Sequence, residues 1–309
     1  MQIKEAITLA TQALQNKGIE EPRLEAETLV AHSLKSDRVG IYINYDKLLS
    51  SSELKSINSI ISKRLNYEPL QYLTNEVNFL GINFIVEPPV FIPRPETEVL
   101  VQTLIEQCSA EVYPRLKWWD AGNKPPLYSY RRVTIFDIGT GCGVIGISAL
   151  KFLPSATVYA SDIMSLELAK RNAEKVGVID RILFLRGNLL EPFKGEKADF
   201  VVSNPPYIST QLISKLQPEI RLFESRTSID GGEDGLFFIR KLIETAPLSL
   251  KPSGVLLLEI SPEQENRVRE KALKHFNSVD FIKDFYGRTR VAKCEKLKVK
   301  CVRTVKCEK

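Results

Sequence analysis

From Val133 to Glu259, short runs of apolar and β-branched residues alternate with stretches of helical period, a rhythm that few folds accommodate. Strands are expected at Val133–Asp137, Thr157–Ser161, Ile182–Arg186, Asp199–Ser203 and Gly254–Glu259, with helical patterns between the first three and a longer segment before the last. A run as apolar as Val255-Leu256-Leu257-Leu258 suits a strand buried on both faces. The expected class is α/β, a parallel sheet covered by helices.

The first 70 residues have a different texture. Ile3, Ile7, Ala10 and Leu14 keep helical spacing up to Gly18, Pro22 suits a first helical turn, and Leu24 to Leu34 continues with helix formers. Ser50 and Glu53 have the spacing of a capping box ahead of Leu54, Ile57, Ile61 and Leu65. Residues 1–70 therefore read as a small all-helical domain. In 71–95, Val77, Phe79, Ile82, Phe84 and Val86 around Gly81 suggest a β-hairpin linker, followed by a proline-rich connector and a helix from Glu96. The main domain is expected over 96–292. Residues 108–132 show no clear period and read as an insertion, and 293–309 as a basic flexible tail.

Charge and cysteine usage exclude several functions. The 309 residues carry 43 Lys/Arg against 38 Asp/Glu, and residues 293–309 hold seven of the former and two of the latter. The remainder is neutral, which gives little support for non-specific binding to a phosphate backbone, and no specific DNA binding is expected. No apolar run approaches the ~20 residues of a membrane span, and the first residues resemble neither a signal nor a transit peptide. A cytoplasmic monomer without membrane attachment is expected. Five cysteines, an odd set with no CxxC pair, argue against both a disulfide framework and a structural zinc site. With two histidines, His32 and His275, a His-based triad or metal centre is disfavoured, and no metal is expected.

After the first α/β strand comes Asp137-Ile138-Gly139-Thr140-Gly141-Cys142-Gly143. Glycines let the chain turn sharply and bring backbone N–H groups to a ligand beside a helix N-terminus. The second strand ends in Ser161-Asp162, where a carboxylate either accepts from two ribose hydroxyls or caps the next helix. Pyrophosphate carriers usually show G-x-G-x-x-G, and here the loop is Gly139-x-Gly141-x-Gly143 with Asp137 just before it. Asp137 would repel a pyrophosphate and hold an ammonium group. S-adenosylmethionine, with an amino-acid end, a ribose and an adenine, fits better than a dinucleotide.

The fourth α/β strand ends in Asn204-Pro205-Pro206-Tyr207, where ligands bind in open α/β sheets. Two prolines stiffen the turn and leave carbonyls to accept. Asn204 adds an amide oxygen and Tyr207 a flat face, a set that suits a planar –NH2 group. Fixing that nitrogen between acceptors withdraws its lone pair from resonance, and attack on a methyl carbon then needs positioning rather than a strong base.

Together with Ile92-Pro93-Arg94-Pro95-Glu96-Thr97-Glu98, Asp230-Gly231-Gly232-Glu233-Asp234-Gly235-Leu236, Leu257-Leu258-Glu259-Ile260 and Asp284–Arg290, these motifs resemble the HemK/PrmC family over roughly residues 1–292. The resemblance implies a Rossmann-like class I methyltransferase domain behind a helical domain that grips the substrate protein. It implies methyl transfer from S-adenosyl-L-methionine to the glutamine side-chain amide in the Gly-Gly-Gln motif of peptide chain release factors. By matched motif, Asp137, Gly139, Thr140, Gly141, Cys142, Gly143, Asp162, Asn188, Leu189 and Asn204 would bind the co-substrate. Asn204, Pro205, Pro206 and Tyr207 would hold the glutamine, and Asn204, Pro205 and Tyr207 would carry the reaction. Arg94 and Glu98 bind substrate backbone or pair with each other. Asn188 and Leu189 stand where an acidic and an aromatic residue are common in the family. Asn75 stands where glycine is usual. The alternatives are a glutamine methyltransferase of a large-subunit ribosomal protein, a DNA adenine methyltransferase and a non-catalytic adenosylmethionine-binding module.

Overall fold

The computed structural model describes residues 1–110 and 132–296, and they fall into two units. The first contains Met1–Val77, Val86–Ile92 and Ser214–Arg226, the second Asn78–Ile85, Pro93–Ile213 and the chain from Thr227 onward. No helix among the described residues is long and apolar enough to cross a membrane.

The first unit is built on α1 (Ile3–Asn16), α2 (Pro22–Ser33), α3 (Arg38–Ile43), α4 (Ser51–Leu65) and α5 (Leu70–Thr74). Ile3, Ile7, Leu14, Leu29 and Ile41 are sealed from solvent in its core. Burying each such side chain contributes roughly 1.5–3 kcal/mol. The capping box forms: Ser50 Oγ accepts from the Glu53 N–H, and the Glu53 carboxylate accepts from the Ser50 N–H at 2.7 Å. Two ionic clusters complete the unit. Buried Glu27 accepts from Arg23 at 2.6 Å, from Arg38 at 2.8 Å and from Tyr42. Arg64 on α4 donates to Glu25 and, at 3.1 Å, to Glu219. Glu219 lies on the short helix α9 (Pro218–Phe223), so a segment from the middle of the chain folds with the N-terminal bundle. By sequence position alone it falls within the domain expected over 96–292. Asn75, at φ +55°, closes α5 in the left-handed region, which asparagine tolerates better than most residues that carry a Cβ.

The hairpin forms from β1 (Glu76–Phe79) and β2 (Ile82–Ile85), while α5 occupies the first residues of the expected 71–95 linker. In the second unit, α6 (Pro95–Ala110) precedes a seven-stranded sheet of order β5-β4-β3-β6-β7-β9-β8. Its strands are β3 (Val133–Ile138), β4 (Ala156–Asp162), β5 (Ile182–Arg186), β6 (Ala198–Ser203), β7 (Leu250–Glu259), β8 (Ser278–Lys283) and β9 (Thr289–Glu295). The first five are parallel and each overlaps its expected position. Every residue of β6 is buried, and β7 is buried from Gly254 onward, as a sheet covered on both faces requires. Between or after the strands lie α7 (Val144–Phe152), α8 (Glu167–Val176), α10 (Arg226–Ile229), α11 (Phe237–Ser249) and α12 (Glu265–Ala272).

Three expectations need correction. The sheet is mixed, because β9 pairs antiparallel with β7, and β8 with β9. Charged residues interrupt both strands, Asp280 and Lys283 in β8 and Arg290, Lys293 and Glu295 in β9, so they lack the apolar run that marks the central strands. The tail cannot begin at 293, since Lys293, Cys294 and Glu295 belong to β9 and Cys294 is fully buried. The proposed insertion overlaps the end of α6, which continues to Ala110; 111–131 and 297–309 lie outside the described residues.

Candidate active site

The order β4-β3-β6 means the chain winds outward from β3 in one direction and from β6 in the other, so the two are neighbours at a topological switch point. Ile138 pairs with Ser161 on one side and with Ser203 on the other, and Ser203 pairs with Leu258. The next residue on each strand is therefore at one level: Asp162, Gly139, Asn204 and Glu259 form a row across four carboxyl ends.

On the β3 side the loop is held by its own neighbourhood. The N–H groups of Gly139 and Thr140 donate to the Ser161 carbonyl at 2.8 and 3.0 Å. Asp162 accepts from the Gly141 N–H at 2.9 Å and from the Met164 N–H at 2.8 Å. It is not a helix N-cap, since α8 begins at Glu167. Asp137 is fully buried; its Oδ2 accepts from the Thr140 hydroxyl at 2.6 Å and the Gly146 N–H at 3.0 Å. A Cβ on Gly146 would lie 3.0 Å from that oxygen and 2.9 Å from Val158, so only glycine lets α7 approach this closely. The other oxygen, Oδ1, is buried with no hydrogen-bond partner among the described residues. Burial pushes the carboxyl up to about 6. A buried carboxylate oxygen without a donor beside a glycine loop suits a ligand's ammonium group.

Cys142 is buried, and burial pushes its thiol up to about 12, so this position offers its backbone rather than its side chain. The Cys142 carbonyl accepts from Asn172 on α8 at 2.9 Å, and the same side-chain amide exchanges two hydrogen bonds with Ile85 of the hairpin. Leu189 takes φ +49°, and its carbonyl accepts from Ser161 Oγ at 3.1 Å, which brings the 187–190 loop to the end of β4. Asn188 is exposed on that loop.

On the β6 side the supports come from far away in the chain. Asn204 Nδ2 donates to Thr97 Oγ1 at 3.0 Å, and the Tyr207 hydroxyl donates to Glu259 Oε1 at 3.1 Å. Thr97 sits in the first turn of α6, three residues after the half-buried Arg94. Glu98, for which pairing with Arg94 is one expectation from sequence, accepts from the Leu80 N–H at 3.0 Å. The Tyr207 phenol is raised, first by burial and then by the Glu259 carboxylate, and remains a neutral donor. Gln264 donates to the carbonyls of Tyr207 and Gly235, each at 3.0 Å. The Asp230–Leu236 motif packs on the turn: Gly231 donates to Ile208 at 2.7 Å, and Gly235 sits at φ +73°, where a Cβ would meet the Tyr207 carbonyl at 2.4 Å. Among the described residues no hydrogen bond ends on the carbonyl of Pro205.

Sequence reasoning missed Asn172 and Gln264 as site residues and used Thr97 and Glu259 only as motif letters. The one available signal was a carboxylate closing an otherwise apolar strand.

Residues 5–74 match the PrmC N-terminal domain family, and 126–223 the methyltransferase small domain family. A release factor glutamine methyltransferase of Moorella thermoacetica is 35% identical over 294 residues, 94% of this chain and 97% of that one. One from Geobacter sulfurreducens is 37% identical over 257 residues, 82% of each chain. The solved hMettl16 catalytic domain overlaps 70% of this chain and 76% of its own at a TM-score of 0.51 and 16% identity, a likeness of fold alone. A third of the residues shared along nearly the whole of such relatives, with both domains matched in order, shows that this chain belongs to the release factor glutamine methyltransferase family.

Proposed function

We propose that this chain methylates the side-chain amide nitrogen of the glutamine in the Gly-Gly-Gln motif of peptide chain release factors, in the cytoplasm, using S-adenosyl-L-methionine. The observation that supports this reading is the register that sets Gly139 and Asn204 side by side, so that a loop suited to an ammonium group would neighbour a turn suited to an –NH2 group. The co-substrate supplies an electrophilic methyl carbon on a cationic sulfur. Asp137, mostly ionised at pH 7, would take its ammonium end through Oδ1, and Gly139–Gly143, Asp162 and the 188–189 loop would hold the remainder.

The chain's own groups then do the positioning. Asn204 Oδ1 and the Pro205 carbonyl accept the two N–H bonds of the carboxamide, which favours localising its lone pair on nitrogen. Pro205 and Pro206 keep those acceptors from turning away. The Tyr207 ring, anchored through its hydroxyl, offers a surface for the amide plane. As the nitrogen gains its bond to the methyl carbon, the carbon–sulfur bond would break with its electron pair going to sulfur, leaving a neutral thioether, and the nitrogen's proton would pass along one of the same acceptor contacts to water. The helical unit is proposed to grip the factor.

The test is incubation with methyl-labelled S-adenosyl-L-methionine and, separately, a release factor, a large-subunit ribosomal protein and duplex DNA. Label is expected on the release factor and is lost when its Gly-Gly-Gln glutamine is replaced by alanine. Label on the ribosomal protein alone or the DNA alone overturns the reading.

A further inference from the structure

An asparagine amide has two edges of nearly the same shape and opposite polarity, and only the oxygen edge can receive an –NH2 group. Packing by shape alone would leave Asn204 free to present either. The structure surrounds it with a chain of donors and acceptors that runs in one direction. Glu259 ends β7 and is 1% exposed. Its carboxylate accepts from the Tyr207 hydroxyl at 3.1 Å, and the Thr97 hydroxyl favours its ionised form against burial, which pushes the carboxyl up to about 7. An ionised Glu259 draws the Thr97 proton towards itself and leaves Thr97 Oγ1 to accept, and Oγ1 takes Asn204 Nδ2 at 3.0 Å. The carboxamide oxygen of Asn204 is thereby the edge left for a ligand. Glu259 Oε2 is buried with no partner among the described residues. A buried carboxylate not fully satisfied is costly to keep unless it has a task.

We propose that Thr97 and Glu259 are positioning residues that fix the polarity of the Asn204 amide, so that its oxygen faces the nitrogen to be methylated. Neither need touch substrate. A neutral Gln at 259 could donate to Thr97, which would free the Thr97 proton to point at Asn204 and let the amide turn over. This inference rests on the proposed role of Asn204 as an amide acceptor.

The experiment uses the full-length chain and variants Thr97→Val, Thr97→Ser, Glu259→Gln and the Thr97→Val/Glu259→Gln double variant, assayed on the release factor. Thr97→Val and Glu259→Gln should each lower kcat by about 30-fold, the scale of one misdirected buried hydrogen bond. The Kd for S-adenosyl-L-methionine should stay within about threefold of wild type. Thr97→Ser, which keeps the hydroxyl, should recover to within about threefold, and the double variant should be no slower than the slower single one. A merely structural role would not reproduce that rescue together with non-additivity. Thr97→Ser as slow as Thr97→Val, losses that multiply, or cofactor binding that falls in step with kcat would each overturn the proposal. A second readout needs no substrate: the side-chain amide ¹⁵N–¹H pair of Asn204, assigned through Asn204→Asp. It should move in Thr97→Val and in Glu259→Gln and hold its wild-type position in Thr97→Ser; an unmoved pair in Thr97→Val contradicts the proposal. Should the wild-type chain label no release factor, the functional reading fails on that result, and the amide resonance still decides whether Thr97 and Glu259 set the Asn204 edge.

Discussion

Two loops leave adjacent strands at the same level, and they are built on opposite plans. The loop after β3 is made of glycines and is held by partners close in the chain: Thr140, Gly146 and Asp162 meet their loop partners across 3, 9 and 21 residues. The turn after β6 is made of prolines and is held by Thr97, Glu259 and Gln264, across 107, 52 and 57 residues. The first presents a close glycine backbone and a buried carboxylate oxygen, and the second presents carbonyl oxygens. A loop that must wrap a flexible ligand is set by its own βαβ unit. A turn that must place one nitrogen to within a fraction of an ångström is braced from α6, β7 and the segment after it.

If the two loops divide the work in this way, substitutions on one side should leave the other intact. The largest separation is expected from Asn204→Ala: kcat falls about 10³-fold, the scale of a lost preorganised polar contact, while the Kd for S-adenosyl-L-methionine changes less than about tenfold, ~1.4 kcal/mol. Equal losses in both would merge the loops into a single cofactor site. Gly235→Ala comes next. Its φ of +73° and the 2.4 Å approach to the Tyr207 carbonyl oblige the turn to shift. A drop in kcat of about 10- to 100-fold is expected, with a stability loss of about 1–3 kcal/mol in urea titrations and cofactor affinity little changed.

The β3 side is separated by pH. The Asp137 carboxyl is raised to about 6, and a bound ammonium favours its ionised form. Below that value binding must first displace a proton, so affinity for S-adenosyl-L-methionine should be about tenfold weaker at pH 5 than at pH 7, where it levels off. Asp137→Asn should remove the slope in a calorimetric titration. Because folding raises this pKa above its ordinary 3.8, its contribution to the stability of the ligand-free chain is lost as pH rises through about 6. The smallest effect is expected from truncation after Lys296, which leaves every described element in place: kcat and Kd should stay within about twofold. Cutting at 292 removes the last residues of β9 and should lower the melting temperature.

The same contrast explains what could be read in advance. The glycine loop was legible because its ligands, turns and acidic partner fall in one strand-loop-helix-strand stretch. The Asn-Pro-Pro-Tyr turn was legible as a motif, but its bracing was not, because Thr97 reads as an ordinary first-turn residue until folding brings it to Asn204. Segment 214–226 follows the turn in sequence yet joins the helical unit through Glu219 and Arg64, a pairing over 155 residues that no local pattern announces. Strands β8 and β9 were missed because charged residues interrupt both, whereas Phe200-Val201-Val202 of β6 and Val255-Leu256-Leu257-Leu258 of β7 are apolar runs.

The sharpest single trial is a crystal structure of this chain with S-adenosylhomocysteine and a Gly-Gly-Gln peptide. The carboxamide nitrogen should lie within hydrogen-bond distance of both Asn204 Oδ1 and the Pro205 carbonyl, on the side facing the cofactor's sulfur. A glutamine side chain bound elsewhere, or a proline turn pointing away from the sulfur, would contradict it.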